Sequence, residues 1–170
     1  MRGIGLLLTT AAVLSTPGTQ VADCQRGPVT AGSGSPDWRR KSLVAGPLGV
    51  FRHPLDQMSD TNNDQLIAKM PVLVEGDTPV TLRVPPGERH RVFLYYGRIV
   101  DRSGNPTTQI GRARGFTEVV FEPCTYKPRT VWPGGIRVRG RRPVRLVVSV
   151  EGRRNAIPLR LGRPKPYAPA

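Results

Sequence analysis

Glycine and proline break this chain too often for it to build long helices. Together they occupy 37 of its 170 positions. Proline removes a helix donor, and glycine loses the most backbone entropy on ordering. What survives between the breaks has the two-residue period of half-buried strands. Eight short apolar stretches recur about every ten residues, at 42–50, 70–74, 80–84, 91–96, 116–121, 135–139, 143–150 and 156–161. The first is interrupted by Gly46-Pro47 and reads as a broken or bulged edge strand. Residues 52–65 and 101–114 read as surface loops. The pattern implies an all-β fold, an antiparallel, immunoglobulin-like β-sandwich of seven or eight short strands.

Within this pattern, residues 134–154 hold seven arginines and one acid. Alternation separates their roles. Ile136 and Val138 point one way, Arg137 and Arg139 the other. Val144, Leu146, Val148 and Val150 share a face, with Arg145, Val147, Ser149 and Glu151 opposite. Turns are expected at 140–143 and 152–155, before Ile157, Leu159 and Leu161 resume the apolar period. The arginines therefore fall on outer faces and in turns. Arg137, Arg139, Arg141, Arg142, Arg145, Arg153, Arg154 and Arg160 form a candidate anionic contact face. On this reading, replacing Arg137, Arg139 and Arg145 with glutamine leaves folding nearly intact. The formal net charge is +14, carried by 22 Arg and only 4 Lys. Such an excess attracts nucleic acid, anionic lipid or anionic wall polymer. Arginine suits bidentate phosphate recognition, but abundant Arg, Gly, Pro, Ala and Val also follow from a GC-rich coding bias.

The chain divides into residues 1–22, a signal peptide or N-terminal anchor; 23–37, a flexible linker; 38–162, the sandwich; and 163–170, an extended Pro-rich tail. One arginine precedes an apolar run from Ile4 to Leu14, the proportions of a secretory signal. The run is short of the roughly 20 residues of a spanning helix. Cleavage after Gly18, retention as an anchor, lipidation at Cys24 and a cytoplasmic protein with an apolar start are the outcomes it allows. No second apolar span occurs, so multi-pass membrane insertion is not expected. Cys24 and Cys124 are the only cysteines. In an extracytoplasmic chain the pair suggests a disulfide, and closing so long a loop stabilises by about 4–5 kcal/mol in the chain-entropy model.

The motifs argue against most catalysis. His53 and His90 stand apart from any serine or cysteine motif, and no G-x-S-x-G occurs. No histidine lies downstream of Cys124, against a blue-copper loop, and the spacing of two Cys and two His fits no zinc site. Glu118 and Glu122 share a strand face, as a surface ladder would. No phosphate-binding loop or dinucleotide fingerprint is present. The ten aromatics form no nucleic-acid signature, and nucleic acid is not an expected partner. No cofactor is expected.

Asp37-Trp38, residues 42–48, Val119-x-Phe121-x-x-Cys124 and Trp132-Pro133-Gly134-Gly135-Ile136-x-Val138-x-Gly140 together resemble small secreted proteins of high-GC Gram-positive bacteria. The resemblance covers residues 37–161. It implies an envelope location and a β fold, and transfers no active site. The function these observations favour is a non-enzymatic interaction or structural module, secreted or tethered at the envelope, with a basic surface for anionic lipid or wall polymer. A hydrolase lacking a recognisable motif and a nucleic-acid-binding protein are the alternatives.

Overall fold

The alternation in residues 144–150 sets the geometry of the whole molecule. In the computed structural model, which describes residues 18–25, 37–51, 59–61, 65–97, 100, 114–125 and 128–159, Val144, Leu146 and Val148 are buried while Arg145 is exposed. These residues belong to β12 (Val144–Val150), paired antiparallel with β13 (Arg153–Leu159) and β7 (Val80–Arg83). Strands β9 (Glu118–Phe121) and β1 (Thr19–Ala22) complete a five-stranded layer in the order β1-β9-β7-β12-β13. All its pairings are antiparallel except β1 with β9, which is parallel, Thr19 facing Glu118 and Ala22 facing Phe121.

The second layer is bent. One half is β10 (Arg129–Trp132), β6 (Val72–Glu75), β3 (Leu48–Phe51) and β2 (Ser42–Ala45); the other is β4 (Ser59–Thr61), β5 (Gln65–Lys69), β11 (Gly134–Arg139) and β8 (Val92–Tyr96). A two-stranded ribbon joins the halves. β6 faces β10 up to Val72–Trp132, β5 faces β11 from Lys69–Gly135, and Met70 N donates to Gly134 O between them at 2.9 Å. Pro71 and Pro133 sit at the bend, where strand donors are lost anyway.

The inner faces of the two layers meet in one core. It includes Leu48, Val50, Leu66, Val72, Leu82, Leu94, Val119, Ile136, Val138, Leu146 and Ile157. Phe121 from the first layer packs between Tyr96 and Trp132 of the second, with ring centroids 5.1 Å apart in each pair. Tyr96 lies over Gly134, where an added Cβ would meet its ring at 2.1 Å. Its hydroxyl donates to Met70 O at 2.6 Å, and burial pushes its pKa well above the ordinary 10.0. Outside the core, Trp38 covers the second layer at Gly49, where a Cβ would stand 2.2 Å from the indole. An Arg39–Glu75 ion pair and the Arg39 guanidinium over the Trp38 ring, 4.8 Å from its centroid, hold that cover in place.

The all-β sandwich is as the sequence implied, but thirteen strands are present among the described residues rather than seven or eight. Residues 42–51 are a hairpin, not one broken strand, with Gly46 at φ 60° in its turn. β1, β4, β5 and β10 fall where no strand was expected, β1 in the N-terminal segment and β4 within residues 52–65, which read as a surface loop. The turn after β12 is Glu151-Gly152 alone; both have positive φ, as a type I′ hairpin requires. Arg153 and Arg154 thus lie in β13, not in a turn.

Candidate contact surface

The exposed arginines do not form one face. β11 and β12 belong to different layers, so the arginines of these two strands look in different directions. Of the eight, Arg139, Arg141, Arg142, Arg145, Arg153 and Arg154 are exposed. Arg160 lies outside the described residues. Arg137 is a correction: only 7% of it is accessible. It does point away from the core, as the alternation demands. There, however, its guanidinium sits over the rings of Phe93 and Tyr95, 5.1 and 5.4 Å from their centroids. β8 supplies both rings as neighbours, Phe93 directly across from Arg137 and Tyr95 across from Gly135. A guanidinium stacked between aromatic faces is held by cation–π attraction, and its stem adds packing. Arg137 is therefore a structural residue, and its replacement by glutamine is not neutral for folding.

The remaining arginines divide between the two ends of the sandwich. Seven residues of β12 span about 20 Å. At one end lies the turn 140–143, at the other the Glu151-Gly152 turn with Arg153 and Arg154. The first end gains a contributor that sequence reasoning missed. Residues 85–91, following β7, fold into a single 3-10 turn (Pro86–Glu88) and lie against the 140–143 turn. The link is Arg91, whose side chain is 5% exposed. Its guanidinium donates to Arg142 O at 3.2 Å and Pro143 O at 2.9 Å, and it is ion-paired to Glu88. The backbone continues the joint, since Arg139 N donates to Arg91 O at 2.8 Å. Glu88 is the only acid in segments 85–91 and 139–145, and the pairing neutralises it. Arg89, Arg139, Arg141 and Arg142 are exposed at this joined pair of turns, with Arg145 just beyond. A rigid backbone thus gathers five exposed arginines at one end, and no single stretch of sequence contains them all.

The opposite end is different. Cys24 and Cys124 form the expected disulfide there, Cα atoms 5.7 Å apart, extending the β1–β9 pairing beyond Ala22 and Phe121. Cys124 is buried, and its N–H donates to Thr130 Oγ1 at 3.0 Å. A shallow depression beside the disulfide is lined by Asp23, Gln25, Glu122, Pro123 and Thr125. Asp77 and Glu151 sit in turns at this same end, along with Arg153 and Arg154. Among the described residues, one end of the sandwich thus gathers exposed arginines, while the exposed acids Asp77, Glu122 and Glu151 lie at the disulfide end with Arg153 and Arg154.

Among the described residues, no group of three or more His, Cys, Asp or Glu could hold a metal ion, and no helix is long and apolar enough to cross a membrane.

No family model matches the chain, and no curated protein matches it. Among solved structures, it is similar to the GAE domain of GGA2p from Saccharomyces cerevisiae, at 11% identity over 68% of this chain and 88% of that one, with a TM-score of 0.25.

Proposed function

We propose that this protein is a non-enzymatic contact module of the extracytoplasmic envelope, whose basic end engages a phosphate-bearing anionic surface, either lipid headgroups or wall polymer. The observation that carries the reading is Arg91. Burying an arginine is costly unless it is paired and hydrogen-bonded. Here that arrangement fixes the very turn that displays Arg141 and Arg142. Guanidinium groups on a fixed frame lose less entropy when they bind phosphate than groups on a mobile loop. The disulfide is compatible with an oxidising, extracytoplasmic compartment, and the apolar run from Ile4 to Leu14 has the form of an export signal.

The test is cosedimentation of the purified protein with phosphatidylglycerol vesicles, with phosphatidylcholine vesicles, and with isolated phosphate-rich wall polymer, across a salt series. Binding to an anionic partner that fades as salt shortens the Debye length supports the reading. Absence of binding at low salt, or binding indifferent to salt, overturns it. The lipid and polymer arms identify the source of the phosphate.

A further inference from the structure

Strand β13 forms one edge of the five-stranded layer, and the hairpin that starts it decides where its backbone groups point. Val150 faces Arg153 across the two-residue Glu151-Gly152 turn, so this pair exchanges ladder bonds. Bonding then alternates along the strand. Arg153, Asn155, Ile157 and Leu159 aim their backbone groups at β12, whereas Arg154, Ala156 and Pro158 aim theirs away from it. Pro158, which has no N–H, thus falls where no ladder donor is lost. Among the described residues β13 pairs with β12 alone, and no backbone bond reaches Arg154 or Ala156 from another segment. Arg153, Arg154, Asn155, Ala156 and Pro158 are all exposed.

A row of donors and acceptors at strand period is matched in spacing and direction by another extended backbone. An antiparallel strand laid against this edge exchanges both bonds of a ladder pair at Arg154 and again at Ala156. Pro158 offers an acceptor only, so the ladder ends there. The side chains around the edge select the charge of that strand. Arg153 and Arg154 project to opposite sides at its start, and Arg145 lies directly across from Pro158, one strand further in. All three arginines are exposed, and Glu151 is the one acid in residues 144–159. A second copy of this chain would bring its own Arg145, Arg153 and Arg154 to the same edge, and like charges across a sheet are destabilising. An acidic strand instead sets carboxylates beside them.

We infer that the outer edge of β13 docks an acidic, extended segment of another protein, which joins the five-stranded layer as a further strand along residues 154–158. Apart from Arg145, this surface shares nothing with the arginine-bearing turns at 85–91 and 140–143, and it does not depend on their binding phosphate. Backbone bonds supply the attachment. The arginines supply the choice of partner, each exposed pairing with a carboxylate adding up to about fivefold in affinity.

The test is amide hydrogen exchange resolved by residue, on the full-length protein with its disulfide intact. In the protein alone, the amides of Asn155, Ile157 and Leu159 exchange slowly and those of Arg154 and Ala156 fast. A capped peptide of about eight residues alternating glutamate with threonine, at about 1 mM, slows exchange at Arg154 and Ala156. Its lysine counterpart does not, and neither does the glutamate peptide with every backbone nitrogen methylated. Ala156→Pro removes an outward N–H and no bond to β12, so it melts as wild type while peptide binding falls at least about tenfold. R153Q/R154Q also keeps the fold and binds on the order of tenfold more weakly. If Ala156→Pro melts early, the arginine variant and the methylated peptide still decide. Slow Arg154 and Ala156 amides in the protein alone overturn the inference, because another stretch of chain or a second copy then already holds the edge. So does the lack of added protection at about 1 mM peptide, equal binding of the lysine peptide, or undiminished binding by R153Q/R154Q or by a folded Ala156→Pro. Equal binding of the methylated peptide overturns it too, since charge alone is then being read.

Discussion

Replacing Arg91 with methionine tests the structural basis of the basic end. Methionine keeps the apolar stem and removes the guanidinium. Two hydrogen bonds from a charged donor are lost, each worth about 1.5–3 kcal/mol. The loss is offset in part: residues 142 and 143 are exposed and the Glu88 side chain is 29% accessible, so water can take over these acceptors, and a buried charge no longer needs to be desolvated. The net cost comes to about 2–3 kcal/mol. At a urea m-value of roughly 2 kcal/mol/M, the unfolding midpoint falls by about 1–1.5 M with m unchanged. Arg91→Lys sharpens the test. A lysine ammonium can pair with Glu88 but lacks the planar fork that reaches two carbonyls, so less than half of the loss is recovered. Amide exchange adds a local readout: the 140–143 turn speeds up in Arg91→Met while the Glu151-Gly152 turn does not. A cost below about 0.5 kcal/mol, or full recovery by lysine, would refute the argument that Arg91 organises this end.

Three further outcomes follow from other sites. The C24S/C124S variant loses about 4–5 kcal/mol in the chain-entropy model, and wild type treated with reductant matches it in thermal unfolding; a melt unmoved by both would remove the disulfide's structural role. Arg137→Gln lowers the denaturation midpoint while Arg145→Gln leaves it within error, and equal effects would mean that the Phe93–Tyr95 packing contributes nothing. The Glu75 carboxyl is held below its ordinary 4.5 by its hydrogen bond to Arg39, with Arg129 adding charge. Its contribution is therefore full above the unfolded value and lost as pH falls through the lower folded value. The site is about a third exposed, so Glu75→Gln costs no more than about 1 kcal/mol at neutral pH, and the difference from wild type disappears in acid; a difference that persists or grows there contradicts the sign.

Alternation made the fold class legible, and it failed at identifiable places. β12 keeps a strict two-residue period because one face is core and the other solvent. β5, of sequence QLIAK, has only Leu66 and Ala68 buried, and its Gln, Ala and Lys are weak strand formers that merge with the polar loop before them. β10 lies between Pro128 and Pro133 and reads as a gap. Period two gave Arg137 its correct side, but the period says nothing about what covers that side. Only the register opposite Phe93 does. The basic end was hidden for a similar reason: it is assembled from turns about fifty residues apart, joined by an arginine that in sequence looks like the start of a strand.

The parallel pairing of β1 with β9 also bears on the order of assembly. Among the described residues β1 pairs with β9 alone, and their facing residues Thr19 and Glu118 are 99 positions apart. Loop closure of that length adds only slowly to the equilibrium cost, but it raises the contact order, which governs speed. Among the described strands, the one that comes first in the chain thus depends on one of the later ones. Until β9 arrives, β1 has no ladder to join, and the flank of β9 that receives it stays open. The disulfide beside this seam ties the two strands together across a separation of 100 residues, so the loop-closure cost of pairing them falls once it has formed.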